Sequence, residues 1–294
     1  MNNSVKKFAL FGNIYQTEKS YNIKQVIKDI LDIDGKIIIE NEFATFLENT
    51  TDLNLEDFNK FTSIDGNVDF ALSFGGDGTF LKTAQQVGNS GIPIIGINTG
   101  RLGFISDLSP LDSKVFFQNL VQGNFTIEKR TLLMCKFIGE ETLPNPYALN
   151  EVALLKHDIS SMISISTYVD DVYLATYQAD GLIISTPTGS TGYSLSVGGP
   201  IISPDSKSII LSPIAAHSLS VRPFVLNDDV KISLKVKSRS RNYMVAIDGR
   251  SESLHDSTSI EITKANYCIR IVRPKNHSFF DTLRNKLLWG VDKR

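Results

Sequence analysis

The chain has 294 residues, 41% hydrophobic and 21% charged, with a formal net charge of −2. That is enough apolar material and length for two domains. The near-neutral balance argues against a chain-wide attraction to nucleic acid or anionic membrane, leaving room only for a local basic pocket.

Cys135 and Cys268 each sit in an apolar or strand-like run, a usage that fits reduced thiols better than a disulfide framework. His157, His217, His255 and His277 show no metal-ligand spacing with one another or with cysteine. Lys6 and Lys7 precede only the brief run Phe8 to Phe11, and no apolar stretch approaches the roughly 18 residues of a membrane span. The expectation is a soluble, cytoplasmic protein.

In chain order, Phe8 to Gly12 reads as a strand, and Ile23, Val26, Ile27, Ile30 and Leu31 recur at the spacing of an amphipathic helix. A strand at Lys36 to Glu40, a helical patch at Phe43 to Leu47 and a buried strand at Val68 to Phe74 follow. Phe80, Leu81, Ala84 and Val87 then repeat at helical spacing, Pro93 to Ile97 is a strand, and Ser109-Pro110-Leu111-Asp112 opens a helix that Gly123 stops. This alternation predicts a mostly parallel sheet flanked by helices, with ligands at the carboxyl ends of its strands.

Beyond Gly123 the period falls to two. Strands are expected at Thr131 to Ile138, around Ile163 and Ile165, at Val172 to Tyr177, Gly181 to Ser185, Val230 to Val236, Tyr243 to Ile247, Ile260 to Thr263 and Cys268 to Val272. The fold class is therefore α/β followed by β: residues 1–123 as the α/β domain, 124–272 as an antiparallel β-rich domain, and 273–294 as a helical tail. In that tail Phe280, Leu283, Leu287 and Leu288 form an apolar face expected to pack back on the first domain. Lys235, Lys237, Arg239 and Arg241 read as a solvated strand end and hairpin.

Three segments carry chemistry. Gly75-Gly76-Asp77-Gly78-Thr79 places glycines and one carboxylate between strand and helix, where backbone N–H groups and the helix dipole favour an anion. Asp77 beside a phosphate suits proton abstraction from an attacking hydroxyl or steering of a metal ion; the bland alternative is a helix N-cap. Asp180 to Ser196 packs hydroxyls and glycines after a strand and can contact phosphate, ribose or base, or serve as a loop with helix caps. Asn150-Glu151 opens a strand, and a buried Glu there needs partners that ribose hydroxyls would supply. Asp248-Gly249 reads as a hairpin turn, with Arg250 within reach of a ligand. There is no Walker-type G-x-x-x-x-G-K-[ST], no G-x-G-x-x-G after the first strand, and no nucleophile elbow around Ser190.

Taken together, Gly75 to Thr79, Asn150-Glu151, the Asp180 to Ser196 segment, Gly198-Gly199-Pro200, the Gly96 to Phe104 turn and the tail Phe279 to Trp289 resemble the bacterial NAD kinases over nearly the whole chain. The glycine turn alone is shared with diacylglycerol and sphingosine kinases and, more loosely, phosphofructokinases; the Asn-Glu pair and Thr-Pro-Thr-Gly-Ser-Thr set NAD kinases apart. The resemblance implies transfer of the ATP γ-phosphate to the 2′-hydroxyl of the adenosine ribose of NAD, giving NADP. It implies an α/β domain like that of phosphofructokinases and diacylglycerol kinases.

It further implies Asp77 as proton acceptor, Gly75, Gly76, Gly78, Thr79 and Lys82 near the ATP phosphates, and Asn150 and Glu151 on ribose. Thr191, Gly192, Tyr193, Ser194, Leu195 and Ser196 would line the adenine and ribose pocket, with Asp180, Ser161 and Arg250 also at the dinucleotide. Ser161 and Gln178 stand where many relatives carry a basic or bulkier polar group. Mg²⁺ or another divalent cation would arrive with ATP, and the protein would form a homodimer or homotetramer, with neither nucleic acid nor membrane as partner. A lipid kinase using the same Asp77, or a noncatalytic dinucleotide sensor, are the other classes these residues allow.

Overall fold

The computed structural model describes residues 5–15, 20–100, 103–139, 144–158 and 161–289. They form two compact units: residues up to Lys129 together with Ile269 onward, and Arg130–Cys268. Both boundaries fall inside unbroken strands, β6 (Phe125–Ile138) and β17 (Ser259–Pro274), rather than in linkers.

The first unit carries β1 (Lys7–Gly12), α1 (Ser20–Leu31), β2 (Lys36–Glu40), α2 (Asn41–Thr50), β3 (Asn59–Phe61), β4 (Phe70–Phe74), α3 (Asp77–Val87), β5 (Ile94–Ile97) and α4 (Ser113–Val121). β1 lies between β2 and β4, with β3 outside β2 and β5 outside β4, and every pairing is parallel. Ile271, near the end of β17, extends the parallel sheet beside Ile94. A parallel pair needs a crossover, and the helices supply it, burying Ile23, Val26, Ile27 and Ile30 of α1 and Phe43 and Leu47 of α2 against Phe8, Leu10, Ile39, Leu72 and Phe74. α4 begins as the sequence indicates: the Ser109 hydroxyl accepts the Leu111 N–H, Pro110–Asp112 form one 3₁₀ turn, and Gly123 stops the element at φ 77°.

The second unit is a sandwich of two antiparallel sheets. One has the order β10 (Val172–Ala179), β9 (Ile163–Val169), β14 (Ile232–Lys237), β17; the other has β13 (Phe224–Asn227), β12 (Ser208–Ile214), β11 (Gly181–Ser185), β8 (Glu151–Lys156), β15 (Asn242–Ile247), β16 (Arg250–His255). β7 (Tyr147–Ala148) pairs with β6. Alternate residues meet in one core: Ile163, Ile165, Leu234, Val236, Ile260 and Ile262 from the first sheet, Val152, Leu154, Leu182, Ile184, Val245 and Ile247 from the second.

Two expectations change. The strands at Ile260 to Thr263 and Cys268 to Val272 are one 16-residue strand, because Lys264 to Tyr267 continue the ladder despite their mixed character. In α6 (Phe279–Leu287) only Thr282 and Leu283 are buried; Phe280 and Leu288 are 63% and 55% exposed, since only the middle turn lies against its unit. Lys286 of this helix sits 5.5 Å from the centroid of the Phe104 ring.

Leu154 is fully buried in the sandwich core. Leu154→Ala is expected to lower unfolding free energy by about 2–5 kcal/mol in denaturant titration. Leu219→Ala, at a position 90% exposed, is expected to move it by no more than about 0.5 kcal/mol.

Candidate active site

The glycine turn joins β4 to α3, with Gly76 as the N-cap and Asp77 in the first helical position. The side chain of Asp77 does not cap the helix. Its carboxylate turns to the following loop and accepts the N–H of Phe104 on Oδ2 at 2.8 Å and those of Ile105 and Ser106 on Oδ1 at 3.1 and 2.9 Å. The N-cap reading is therefore replaced by a loop anchor.

The loop is tied back at further points: Ser106 Oγ donates to Gly75 O at 3.0 Å, and Asn98 Nδ2 donates to Ser106 O at 3.0 Å. Gly103 is required here, since a Cβ would stand 2.1 Å from Asp77 Oδ1. Arg101 and Leu102 of this turn lie outside the described residues. A carboxylate offers about four acceptor sites; with three taken, one remains on Oδ2.

The glycines of the turn do different work. A Cβ at Gly75 would meet Thr79 Oγ1 at 2.3 Å, whereas nothing lies within 4 Å of one at Gly76 or Gly78. Those two border a cavity of about 440 Å³, with Thr79, Lys82, Asn13 and Glu40 among its other walls. It opens at the carboxyl ends of β1, β2 and β4, the edge where open parallel sheets take ligands. The N–H groups of the first turn of α3 supply donors and a positive dipole end there.

In the second unit, Asn150 and Glu151 begin β8. Three consecutive N–H groups, Leu149, Asn150 and Glu151, converge on the Asp248 carboxylate at 2.7, 2.8 and 3.1 Å. Asp248 and Gly249, at φ 47° and 79°, make a two-residue turn between Ile247 and Arg250, as the Asp-Gly pair indicates. Burial raises the Asp248 acid, and its three N–H partners and Arg250 oppose that.

The side chains of Asn150 and Glu151 are less well served. Asn150 Oδ1 and Glu151 Oε2 are sealed from solvent with no hydrogen-bond partner. Burial, and then the charge of Asp248, push the Glu151 acid up to about 7 against the pull of the Tyr193 N–H. Gly192 leaves the space beside them: a Cβ there would lie 3.2 Å from Glu151 Oε2 and 3.4 Å from Asn150 Nδ2. Gly189 packs on the Asn150 carbonyl, where a Cβ would come within 2.2 Å.

The hydroxyl-rich segment departs from expectation. Thr186 Oγ1 donates to Leu149 O, Ser185 Oγ to Thr186 O, Ser190 Oγ to Pro187 O, and Ser194 Oγ pairs with Ser212 Oγ, all buried. These hydroxyls are thus taken up by protein partners, two of the four by the segment's own backbone, which has only a 3₁₀ turn at Thr188–Thr191 and the short α5 (Tyr193–Ser196) of its own. Ser194, expected at the pocket, is fully buried. Tyr193 and Ser196 are exposed, and Thr191 and Leu195 half-buried.

The remaining expected residues are dispersed. Asp180 pairs with Lys156 at 2.8 Å. Arg250 donates to the Asn145 and Tyr147 carbonyls at 2.9 and 3.1 Å, which holds the chain ahead of β8. Ser161 and Gln178 line a separate cavity of about 360 Å³ with Arg239. Among the described residues no group of three or more His, Cys, Asp or Glu side chains is placed to hold a metal ion. None of their helices is long and apolar enough to cross a membrane.

Comparison with known proteins matches this arrangement across both units. Residues 22–125 match the ATP-NAD kinase N-terminal domain and residues 149–274 the ATP-NAD kinase C-terminal domain. An NAD kinase of Bacteroides fragilis is 50% identical over 288 residues, 98% of this chain and 99% of that protein. One of Porphyromonas gingivalis is 44% identical over 291 residues, 99% and 100% of the two chains.

Among solved structures, an NAD kinase from Archaeoglobus fulgidus in complex with ATP gives a TM-score of 0.75 at 27% identity, covering 96% of this chain and 98% of that one. Yeast NADH kinase complexed with NADH gives 0.85 at 22% identity, covering 100% and 90%, a likeness of fold. The chain belongs to the NAD kinase family.

Glu151 has a consequence for stability. Its acid is raised from the ordinary 4.5 to about 7 in the folded protein, so it costs nothing below 4.5, and stability is lost progressively as pH rises from 4.5 to about 7, with no further loss above. Glu151→Gln is expected to raise the melting temperature at pH 8, with the gain vanishing as the melts approach pH 4.5.

Proposed function

We propose that this chain transfers the γ-phosphate of ATP to the 2′-hydroxyl of the adenosine ribose of NAD, giving NADP, in the cytoplasm. Family membership supports the reaction, and the observation that carries the site is the pair of sealed, unpartnered acceptors, Asn150 Oδ1 and Glu151 Oε2. Leaving buried acceptors unpaired costs about 1–3 kcal/mol each, and a ribose diol donates the two hydrogen bonds they lack. Diacylglycerol, with a single free hydroxyl, offers no such pair of donors, which disfavours a diacylglycerol-type lipid kinase.

In the mechanism we propose, the remaining acceptor site on Asp77 Oδ2 receives the attacking hydroxyl. As the oxygen bonds to the γ-phosphorus and ADP departs, the proton passes to Asp77. The loop N–H groups hold the carboxylate still, so its orientation is set before the substrate arrives. Gly76, Gly78, Thr79 and Lys82 border the cavity suited to the donor's phosphates. A divalent cation brought with ATP would be held by the phosphates rather than by side chains and would supply charge neutralisation there. Tyr193 and Ser196, exposed beside Gly192, are the side chains of that segment open to the dinucleotide.

Purified protein incubated with ATP, Mg²⁺ and NAD should yield NADP, detected with an NADP-specific dehydrogenase. Asp77→Asn should lower kcat by about 10²- to 10⁴-fold. The amide places a donor opposite the Phe104 N–H, so a modest fall in melting temperature accompanies it, while NAD affinity stays near wild type. Near-normal turnover by this variant would remove Asp77 from the mechanism; absence of NADP from the unaltered protein would favour a noncatalytic sensor.

We also propose a homodimer or homotetramer, supported by exposed apolar side chains on two edge strands of the sandwich: Val172 and Tyr173 on β10, and Phe224 and Val225 on β13. Specific activity should fall on dilution in step with dissociation seen by sedimentation. A fully active monomer would overturn this.

A further inference from the structure

Behind the loop that holds Asp77 lies a group of charged side chains that the proposed reaction does not touch. Arg273, near the end of β17, is 1% exposed. Its Nη1 donates to the Ile105 carbonyl at 2.9 Å and also to Asp107 Oδ1, and its Nε donates to Glu128 Oε2 at 3.2 Å. His277 bridges the same two carboxylates, with Nε2 2.7 Å from Asp107 Oδ2 and Nδ1 3.5 Å from Glu128 Oε1. Asp107 and Glu128 raise the His277 imidazolium to about 8, so at neutral pH two cations balance two anions.

The peptide group between Ile105 and Ser106 joins this frame to the candidate site. Its carbonyl accepts the Arg273 guanidinium at 2.9 Å, and its N–H, Ser106 N, donates to Asp77 Oδ1 at 2.9 Å. A peptide is planar, so fixing the carbonyl fixes the direction of the N–H. A charged donor on the carbonyl also polarises the group and strengthens its N–H as a donor. Asp107, one residue beyond Ser106, pins the loop to the same guanidinium.

We infer that Arg273 is a positioning residue for phosphoryl transfer, aiming the Asp77 carboxylate through the Ile105–Ser106 peptide. Asp107, Glu128 and His277 hold its guanidinium in place. A structural ion cluster could use any pairing of charges, whereas here the guanidinium is aimed at the carbonyl of one of the three peptides whose N–H groups land on Asp77. The inference rests on the reading that Asp77 acts at the acceptor hydroxyl.

Arg273→Lys keeps the charge but lacks the fork that reaches the Ile105 carbonyl, Asp107 and Glu128 together. It is expected to lower kcat for NADP formation by about 10- to 100-fold, as small displacements of a reacting group do. KM for NAD and for ATP should stay within about twofold. In the Asp77→Asn background the same substitution should cost less than about threefold more, because the group it aims is already gone.

Should Arg273→Lys melt below the assay temperature, Asp107→Asn takes its place, with a kcat loss of about 3- to 10-fold and the same loss of effect on Asp77→Asn. Wild-type kcat in the folded variant, or losses that multiply in the double variant, would overturn the inference. If Asp77→Asn is inactive while Arg273→Lys is normal, only the positioning role fails. If Asp77→Asn itself turns over normally, the reading of Asp77 fails first.

Discussion

Each unit is organised around one aspartate that gathers three consecutive backbone N–H groups. Asp77 takes those of Phe104, Ile105 and Ser106; Asp248 takes those of Leu149, Asn150 and Glu151. Neither stretch of donors has a complete ladder of its own, and unpaired amides in such places are costly. A carboxylate satisfies three at once, and hydrogen bonds to an ionised acceptor are stronger than neutral ones. The loops that carry the candidate chemistry are thus rigid without being helix or strand, and their shape depends on two side chains in tight turns.

Glu151 is treated in the opposite way. Its backbone N–H is satisfied by Asp248, yet its carboxyl is buried near that same acid with one oxygen unpartnered. Folding alone gains nothing from this, since burial and a neighbouring like charge both oppose ionisation. A ligand that donates hydrogen bonds reverses the balance, which is how perturbed acids come to mark binding sites. The contrast separates the two sites: the Asp77 carboxylate has three of its acceptor positions filled by the protein, whereas Glu151 Oε2 and Asn150 Oδ1 have no protein partner.

The glycines divide along the same line. Gly103 and Gly189 are required by close protein contacts, with Asp77 Oδ1 and the Asn150 carbonyl standing where a Cβ would go. Gly76 and Gly78 face open space and border the cavity beside Lys82, so no packing contact requires their lack of a side chain. The Thr-Pro-Thr-Gly-Ser-Thr segment belongs to the first kind. Ser190 and Thr191 close on its own carbonyls and Thr186 on that of Leu149, while Tyr193 and Ser196 just after it are exposed.

The amino-acid sequence by itself determined the layout that local periodicity can write. Helical and strand repeats up to Gly123 specified a parallel α/β sheet, the two-residue alternation beyond it an antiparallel β unit, and Asp-Gly the turn at 248–249. It also marked Asp77, Asn150 and Glu151, because acids beside glycines or at the start of a buried strand are unexpected on physical grounds. Strands lacking periodicity escaped it: β3 and β16 are mostly exposed edges, and β12 is buried almost throughout and contains Pro213. The tertiary structure alone decided that Asp77 anchors the 104–106 loop, that Asp248 anchors 149–151, and that Arg273 and His277 meet Asp107 and Glu128. Those partners lie 27 to 170 residues apart, and a hydrogen bond between distant residues leaves no spacing in the sequence from which it can be read.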